Sequence, residues 1–456
     1  MKLVYGVKDK PSFGKTLVFA LQQLLAILAA TIAVPAIIGN GMSQSAALFG
    51  AGVGTIVYLL FTKFRSPVFL GSSFAFLGSM AAAFAGGVSA SAGYLGMIIG
   101  AVMAGLVYVV IALIVKFAGV KWISKLMPAV VIGPTVAIIG LSLSGNAIGD
   151  AVGVAKDGSA FVMNAHAGVC LICALVTLAV TMLCSVFGKK MMKMIPFIIG
   201  IVSGYIVASI FTIIGNNTGI DALKIIDYSA FSNLRWVPSF TFETAFSGGY
   251  DFGDAGSIAS YIGTIAAAYV PVAFVVFAEH IADHKNISTI IEHDLLEDPG
   301  LHRTLLGDGV GSMVGAFFGG CPNTTYGESI GCVAISGNAS VVTILATAIL
   351  AIIASFFAPF VAFLASIPSC VMGGVCISLY GFIAVSGLKM IQDVDLGENR
   401  NLFIVSVILI AGVGGLVLKF GSVTITEVAC ALILGILTNL ILPEKKKADK
   451  DASETK

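Results

Sequence analysis

CPNTTYGESIG, residues 321–331, is where an otherwise apolar chain stops reading as helix. Pro322 removes a backbone donor, Asn323, Thr324 and Thr325 favour extended or turn backbone, and the small residues that follow suit a helix start. Pro322 to Ser336 is only fifteen residues, a helix of about 22 Å against a hydrocarbon core of about 30 Å. The segment therefore does not cross a bilayer as one continuous helix. SPVFLGSSFAF at 66–76 has the same form, with Pro67 followed by extended-favouring residues and then Ser72 and Ser73 ahead of Phe74.

Around these two breaks the chain is a membrane protein by composition. Hydrophobic residues make up 58% and charged residues 11% of its 456 positions, against roughly 25% charged in soluble domains. That excludes an ordinary soluble enzyme. A net charge of +1 without a basic stripe excludes nucleic acid as a partner and leaves the lipid bilayer as the chain's surroundings. The eight cysteines lie in or beside apolar segments, so Cys170-x-x-Cys173 reads as helix packing and not as a metal or redox site. No nucleotide-binding or cofactor motif appears, and the glycine excess fits close helix packing.

Apolar segments fall near 16–39, 43–62, 67–85, 92–117, 124–144, 165–187, 195–215, 262–290, 304–320, 322–336, 339–366, 369–388, 401–418 and 424–442. The fold class is thus an all-α polytopic membrane protein with fourteen transmembrane segments, the third and tenth interrupted. The first run is too long for a signal-peptide core and reads as an uncleaved span after a cytoplasmic N-terminus, 1–15. With that end inside, 21 of the 25 Lys and Arg residues fall on cytoplasmic segments and only Lys156, Lys224, Arg235 and Lys419 outside. The positive-inside rule supports both the count and the orientation. The acidic stretch 216–261 becomes an external loop between seven-span halves, 16–215 and 262–442, and the charged residues 443–456 form a cytoplasmic tail. Seven is odd, so any likeness between the halves is that of an inverted repeat.

Pro67 and Pro322 lie 255 residues apart, and the same offset carries Gln23 to Ala278, next to Glu279. Hydropathy alone ends that span at Glu279, but Ile281, Ile287, Ile290 and Ile291 continue at helical spacing, which extends the helix to about residue 290. Glu279 then lies inside the bilayer with Asp283 one turn further on the same face. Interrupted segments in matching positions of two halves point to a transporter's midplane site. The helix starts near Phe74 and Gly327 offer backbone N–H donors, and Glu279 and Glu328 offer acceptors. A small planar molecule with carbonyls and ring N–H groups, such as a nucleobase, suits that set better than an anion, and Phe74 and Tyr326 add ring surface. His280 and His284, at i and i+4, lack a metalloprotease order and read as a helix-surface pair. Asp308 in span 9 is a candidate proton carrier, and Glu427 reads as a helix cap.

Together, PNTTYGES at 322–329, AEHIADH at 278–284, LGSSFAF at 70–76 and LQQLLAILAATIAVP at 21–35 resemble the bacterial uracil-permease branch of the nucleobase–ascorbate transporter family. The resemblance spans nearly the whole chain. It implies two intertwined inverted repeats forming a core domain, 16–117 and 262–366, and a gate domain, 124–215 and 369–442, often paired as a homodimer through the gate. It implies that Glu279, Glu328, Tyr326 and the backbone at Phe74 and Gly327 bind the base, with Gln23 and Ala30 in the same substrate set. Coupling to a proton is the family's usual mode, with sodium the other option and no cofactor; Glu279, Asp283 and Asp308 are the candidate carriers. Two departures stand out: Gln23 and Asp283 occupy positions where the family often has histidine, and Gln23 cannot titrate. The alternatives are a xanthine or other purine substrate, an anion transporter of the sulfate-permease type, and, from another class, an intramembrane enzyme built on Glu279, His280 and His284.

Overall fold

The computed structural model describes residues 3–119, 121–154, 156–157, 160–232, 234–420 and 423–442, so the expected tail at 443–456 lies outside the described residues. Among them, eight helices are long and apolar enough to cross a membrane: Phe13–Ile38, Gln44–Phe61, Ala90–Ala118, Ala129–Val152, Ala165–Phe187, Pro196–Thr218, Ile258–Ile291 and Ser369–Met390. The pair Val341–Ser355 and Ala358–Ser366 adds a ninth candidate span, and Phe74–Ala83, Asn399–Val413 and Glu427–Ile441 are shorter apolar helices. On Ala90–Ala118, Leu106, Val110, Leu113 and Phe117 are exposed at helical spacing, the stripe a lipid-facing helix presents.

Several element boundaries differ from the sequence reading. The expected single span at 339–366 breaks between its two helices and bends by 82°. Phe357 is extended (φ −82°, ψ 92°) and Pro359 sits in the first turn of the second helix, where its ring and missing N–H prevent continuation from the first. The span expected at 124–144 begins instead at Ala129, behind Pro128, and continues to Val152. Near the end of the chain, Leu418–Phe420 and Val423–Ile425 form an antiparallel hairpin that shortens the flanking helices. The helix carrying Glu279 does run to Ile291, because Ile281, Ile287 and Ile291 keep one buried stripe going.

Glycine sets the tightest packing. Leu301–Gly319 lies against both Gln44–Phe61 and Ala90–Ala118. A Cβ on Gly50 would come within 2.4 Å of the Gly315 carbonyl oxygen, and one on Gly105 within 2.7 Å of that of Gly309. Only hydrogen at these positions lets the backbones approach so closely, the usual means of helix association where no water is available to be expelled.

The two interrupted segments meet. Leu70–Ser72 pairs antiparallel with Asn323–Thr325 in the register Leu70 to Thr325, Gly71 to Thr324 and Ser72 to Asn323. The ladder is lengthened by Ser73 N–H to the Pro322 carbonyl at 2.9 Å and Tyr326 N–H to the Phe69 carbonyl at 3.2 Å. Both strands are fully buried. Extended backbone at membrane depth must find its partners within the protein, and each interruption supplies the other's. Each strand then opens a helix, at Phe74–Phe76 running on as Leu77–Ala83, and at Gly327–Ser336. Strands and helix starts lie 253 residues apart, 70 to 323 and 74 to 327, two fewer than the prolines suggested.

Candidate functional site

Neither helix start is closed by a capping side chain, so first-turn N–H groups are left for another acceptor. Tyr326 supplies only backbone at the second start, because its side chain is committed elsewhere. Its ring lies across Gly71, where an added Cβ would stand 2.3 Å from ring carbons, and its hydroxyl donates to the Ser72 carbonyl at 2.8 Å. Gly327 is exposed, with nothing within 4 Å of where a Cβ would be. The Phe74 ring meets Tyr380 edge-on at 5.5 Å.

These starts open onto a cavity of about 350 Å³, within the range of small-molecule sites. One wall consists of Ala26, Phe74, Glu279, Asp283, Thr325, Tyr326, Gly327 and Glu328; Val136, Phe197, Phe382, Ile383 and Ser386 face them from three other helices. Glu279, Asp283 and Glu328 are partly exposed, and Asp283 Oδ2 accepts a hydrogen bond from Thr325 Oγ1 at 2.6 Å. The arrangement offers carboxylate acceptors and backbone donors around one small space, with aromatic surface beside it.

Of the residues singled out from the sequence, Glu279, Glu328, Phe74, Gly327, Tyr326 and Asp283 are thus brought together. Gln23 and Ala30 are not on the cavity wall. Gln23 is buried and donates through Nε2 to Ser329, at 3.2 Å to the carbonyl and 2.5 Å to Oγ. Ser329 Oγ also accepts from Phe69 N–H at 3.3 Å, so Gln23 braces the half-helix and the strand. Ala30 is fully buried, while Ala26, one turn earlier, lines the cavity. Ala26 is also the position that the 253-residue spacing relates to Glu279. Asn286, Thr325, Phe197 and Phe382 also line the cavity, and the sequence pattern did not mark them as site residues. Asn286 follows Glu279 at i+7 and Asp283 at i+3, so helical spacing alone points to it.

His280 and His284 correct the helix-surface reading, for both are 0% exposed. They lie on an adjacent flank of Ile258–Ile291, turned by about 100° from the cavity acids. His280 Nδ1 lies 2.7 Å from Asp308 Oδ2 and its Nε2 lies 3.0 Å from Thr304 Oγ1. His284 Nδ1 donates to the His280 carbonyl at 2.8 Å, and its Nε2 lies 2.7 Å from the Tyr58 hydroxyl, which contacts Ser66 Oγ at 2.6 Å. Asp308 is wholly buried and off the cavity wall. Hydropathy registers these polar residues only as interruptions, since it cannot sense that they face one another. Glu427 opens its helix as a first-turn acid, and all eight cysteines are buried thiols. Among the described residues no group of three or more His, Cys, Asp or Glu is placed to hold a metal.

A family model described as "Permease family" (Xan_ur_permease) matches residues 14–419. The chain belongs to this family. The permease is 41% identical to the uracil permease of Bacillus caldolyticus, over 99% of this chain and 98% of that one, and 38% identical to the uracil permease of Bacillus subtilis (strain 168) with the same coverage. It is a multi-pass membrane transporter and not an enzyme, which sets aside the intramembrane-enzyme reading. Its fold is similar to the transmembrane domain of a cyanobacterium bicarbonate transporter, BicA (TM-score 0.61, 16% identity, 96% of this chain and 99% of that one), and to SLC26A9 (TM-score 0.66, 12% identity, 94% and 64%).

Proposed function

We propose that the permease imports a nucleobase, uracil first among the candidates, by proton symport. The observation that carries this reading is the placement of Glu279 and Glu328 on one cavity with two uncapped helix starts. Carboxylate oxygens accept from ring N–H groups, and the backbone N–H groups at Phe74 and Gly327 donate to ring carbonyls. Phe74, on the cavity wall, bounds one face of the ring. A second anion beside two carboxylates is repelled, which argues against an anion substrate on this shared fold. The relatives named as uracil permeases support uracil over xanthine.

In this reading the fourteen segments form two inverted seven-span repeats, and the antiparallel strand pair with its constant 253-residue spacing is the contact where the repeats meet. The core, 16–117 and 262–366, carries the acids and helix starts, while the gate, 124–215 and 369–442, supplies the opposing apolar wall. Alternating access is movement of one past the other. Both termini are cytoplasmic, as the Lys and Arg distribution requires, in the plasma membrane, and the gate is the surface for a homodimer. Glu279, Asp283 and Asp308 are the candidate proton carriers.

Uptake of labelled uracil and xanthine into proteoliposomes tests the reading. Uracil uptake stimulated by an acidic outside is expected, and Glu279→Gln should abolish it while the protein remains folded in the membrane. Uptake that follows sodium alone, or a preference for xanthine, overturns the coupling or the substrate respectively.

A further inference from the structure

The half-helix Gly327–Ser336 leaves one whole side open, because Gly327, Glu328, Gly331, Cys332 and Ile335 all line the cavity. It is ten residues long, as is its counterpart Phe74–Ala83, so each is a rod of about 15 Å. A rod that short, packed on one side, is placed by what holds its two ends. The starts are held by the antiparallel strands that precede them. The far ends are held as well, by chain from elsewhere in the sequence.

Gly327–Ser336 ends at Gly337, in the left-handed region at φ +68°, and residues 4–9 run beside the chain that follows. The Val4 and Tyr5 N–H groups donate to the Gly337 carbonyl at 2.8 and 3.2 Å, Ala339 N–H donates to the Tyr5 carbonyl at 2.9 Å, and Val341 N–H to the Val7 carbonyl at 3.1 Å. The Ser340 hydroxyl donates to the Asp9 carbonyl at 2.6 Å, and Tyr5 pairs with Asn338 in parallel sense. Beyond Phe74–Ala83 the chain is met in the same way by residues 251–254. Ser89 N–H donates to the Asp251 carbonyl at 2.9 Å, Asp254 N–H to the Gly86 carbonyl at 2.8 Å, and Asp251 N–H to Ser89 Oγ at 3.0 Å. The two segments also match in position. Asp9 stands four residues ahead of Phe13, which opens the first long helix, and Asp254 four ahead of Ile258, which opens the helix carrying Glu279. Each half of the chain thus straps the half-helix of the other.

We propose that residues 4–9 and 251–254 are positioning elements for substrate binding, which fix the far ends of the two half-helices and so set where their open N–H groups stand in the cavity. The inference rests on the reading of those helix starts as the substrate's carbonyl sites. Neither segment lines the cavity, so each acts only through the helix it holds. A half-helix released at its far end spends part of its time displaced, and the apparent affinity falls in proportion to the fraction that is correctly placed.

The test uses the full chain purified in detergent, with amide hydrogen exchange and uracil affinity read on the folded, monodisperse fraction. Tyr5→Pro removes an N–H donor to Gly337 and restricts the residue before it. Tyr5→Phe keeps every backbone bond and loses only the contact of the hydroxyl with Lys15. Gly253→Ala opens the other strap, since its backbone sits at φ +51° and an added Cβ would collide with the Gly86 carbonyl oxygen. Tyr5→Pro is expected to speed exchange at the Ala339 and Val341 amides, and Gly253→Ala at those of Ser89 and Asp254. Each should lower uracil affinity about tenfold, the loss for a half-helix correctly placed about one-tenth of the time, while Tyr5→Phe binds as wild type. Exchange that stays at the wild-type rate in Tyr5→Pro overturns the proposal. So does wild-type affinity in either strap variant whose exchange has risen, even with a lowered thermal midpoint, for that assigns the straps to stability alone. An equal loss in Tyr5→Phe also overturns it. If the wild type binds no uracil, the carbonyl-site reading falls and the positioning role with it; binding by the wild type that the strap variants match refutes the straps alone.

Discussion

Gly327→Ala separates the two things the interrupted segment does, folding and binding. The residue opens a helix with an ordinary negative φ, is exposed to the cavity, and has nothing within 4 Å of the position of an added Cβ. Alanine in place of glycine in a helix favours the folded state by about 0.5–1 kcal/mol, because less backbone freedom is lost. The methyl projects into the open space beside the backbone N–H assigned to a substrate carbonyl. Forcing an extra carbon into a fitted contact costs about 1–3 kcal/mol, and losing one amide hydrogen bond about 0.5–1.5 kcal/mol. At about 1.4 kcal/mol per decade, uracil affinity should fall roughly tenfold or more, while the thermal midpoint stays level or rises. Scintillation-proximity binding and a thermal unfolding curve on the same detergent-purified sample read both quantities. Unchanged uracil affinity would show that the substrate does not approach the Gly327 backbone and would refute the assignment of the helix start as its carbonyl site. A fall in the midpoint would refute the claim that the space is free.

Gly71→Ala should act in the opposite way: its methyl would sit 2.3 Å from the Tyr326 ring, so the ring must move by about 1 Å or more to regain contact, at a stability cost of about 1–3 kcal/mol seen as a lowered thermal midpoint, and a midpoint equal to wild type would contradict the clamped ring. Ser329→Ala removes an acceptor from both Gln23 and Phe69 N–H and should cost about 1–3 kcal/mol through the donors left unpaired in the interior, measured by unfolding in detergent; no loss would show that water replaces the hydroxyl. Outside the membrane segments, the hydrogen bond from the Arg65 guanidinium holds the Asp298 carboxyl below its ordinary value. A lowered carboxyl contributes stability above its unfolded value and loses it as pH falls through the folded one. Arg65→Gln should therefore lower the midpoint slightly and equally between about pH 5 and 8, with the difference shrinking only in stronger acid or in high salt; a difference that grows as pH falls would contradict the sign.

How much of the site was legible follows from what each residue's neighbours are. Glu279, Asp283 and Asn286 share one helix face, so a spacing of 3.6 residues groups them without any tertiary information. The 321–331 break announces itself because Pro322 and three extended-favouring residues cannot continue a helix. The role of Gln23 was not legible: its partner Ser329 lies 306 positions away, and nothing local to either marks the pair. The same holds for Asp308, 28 positions from His280. A fully buried histidine and one on a helix surface have the same letter and the same spacing; only the partner helix distinguishes them.

The sequence by itself determined that this chain lives in a membrane, that Glu279 belongs inside a helix running to about residue 290, and that two segments break where helices should cross. Those are local properties, set by side-chain hydropathy, backbone propensity and helical period. Only the tertiary structure decided that the two breaks pair as antiparallel strands, that Ala26 and not Ala30 reaches the cavity, and that His280 and His284 face Asp308 and Tyr58 in the interior. Buried polar groups require partners wherever the fold brings them, and in this chain those partners come from the opposite half or from a neighbouring helix, at separations no repeating pattern encodes.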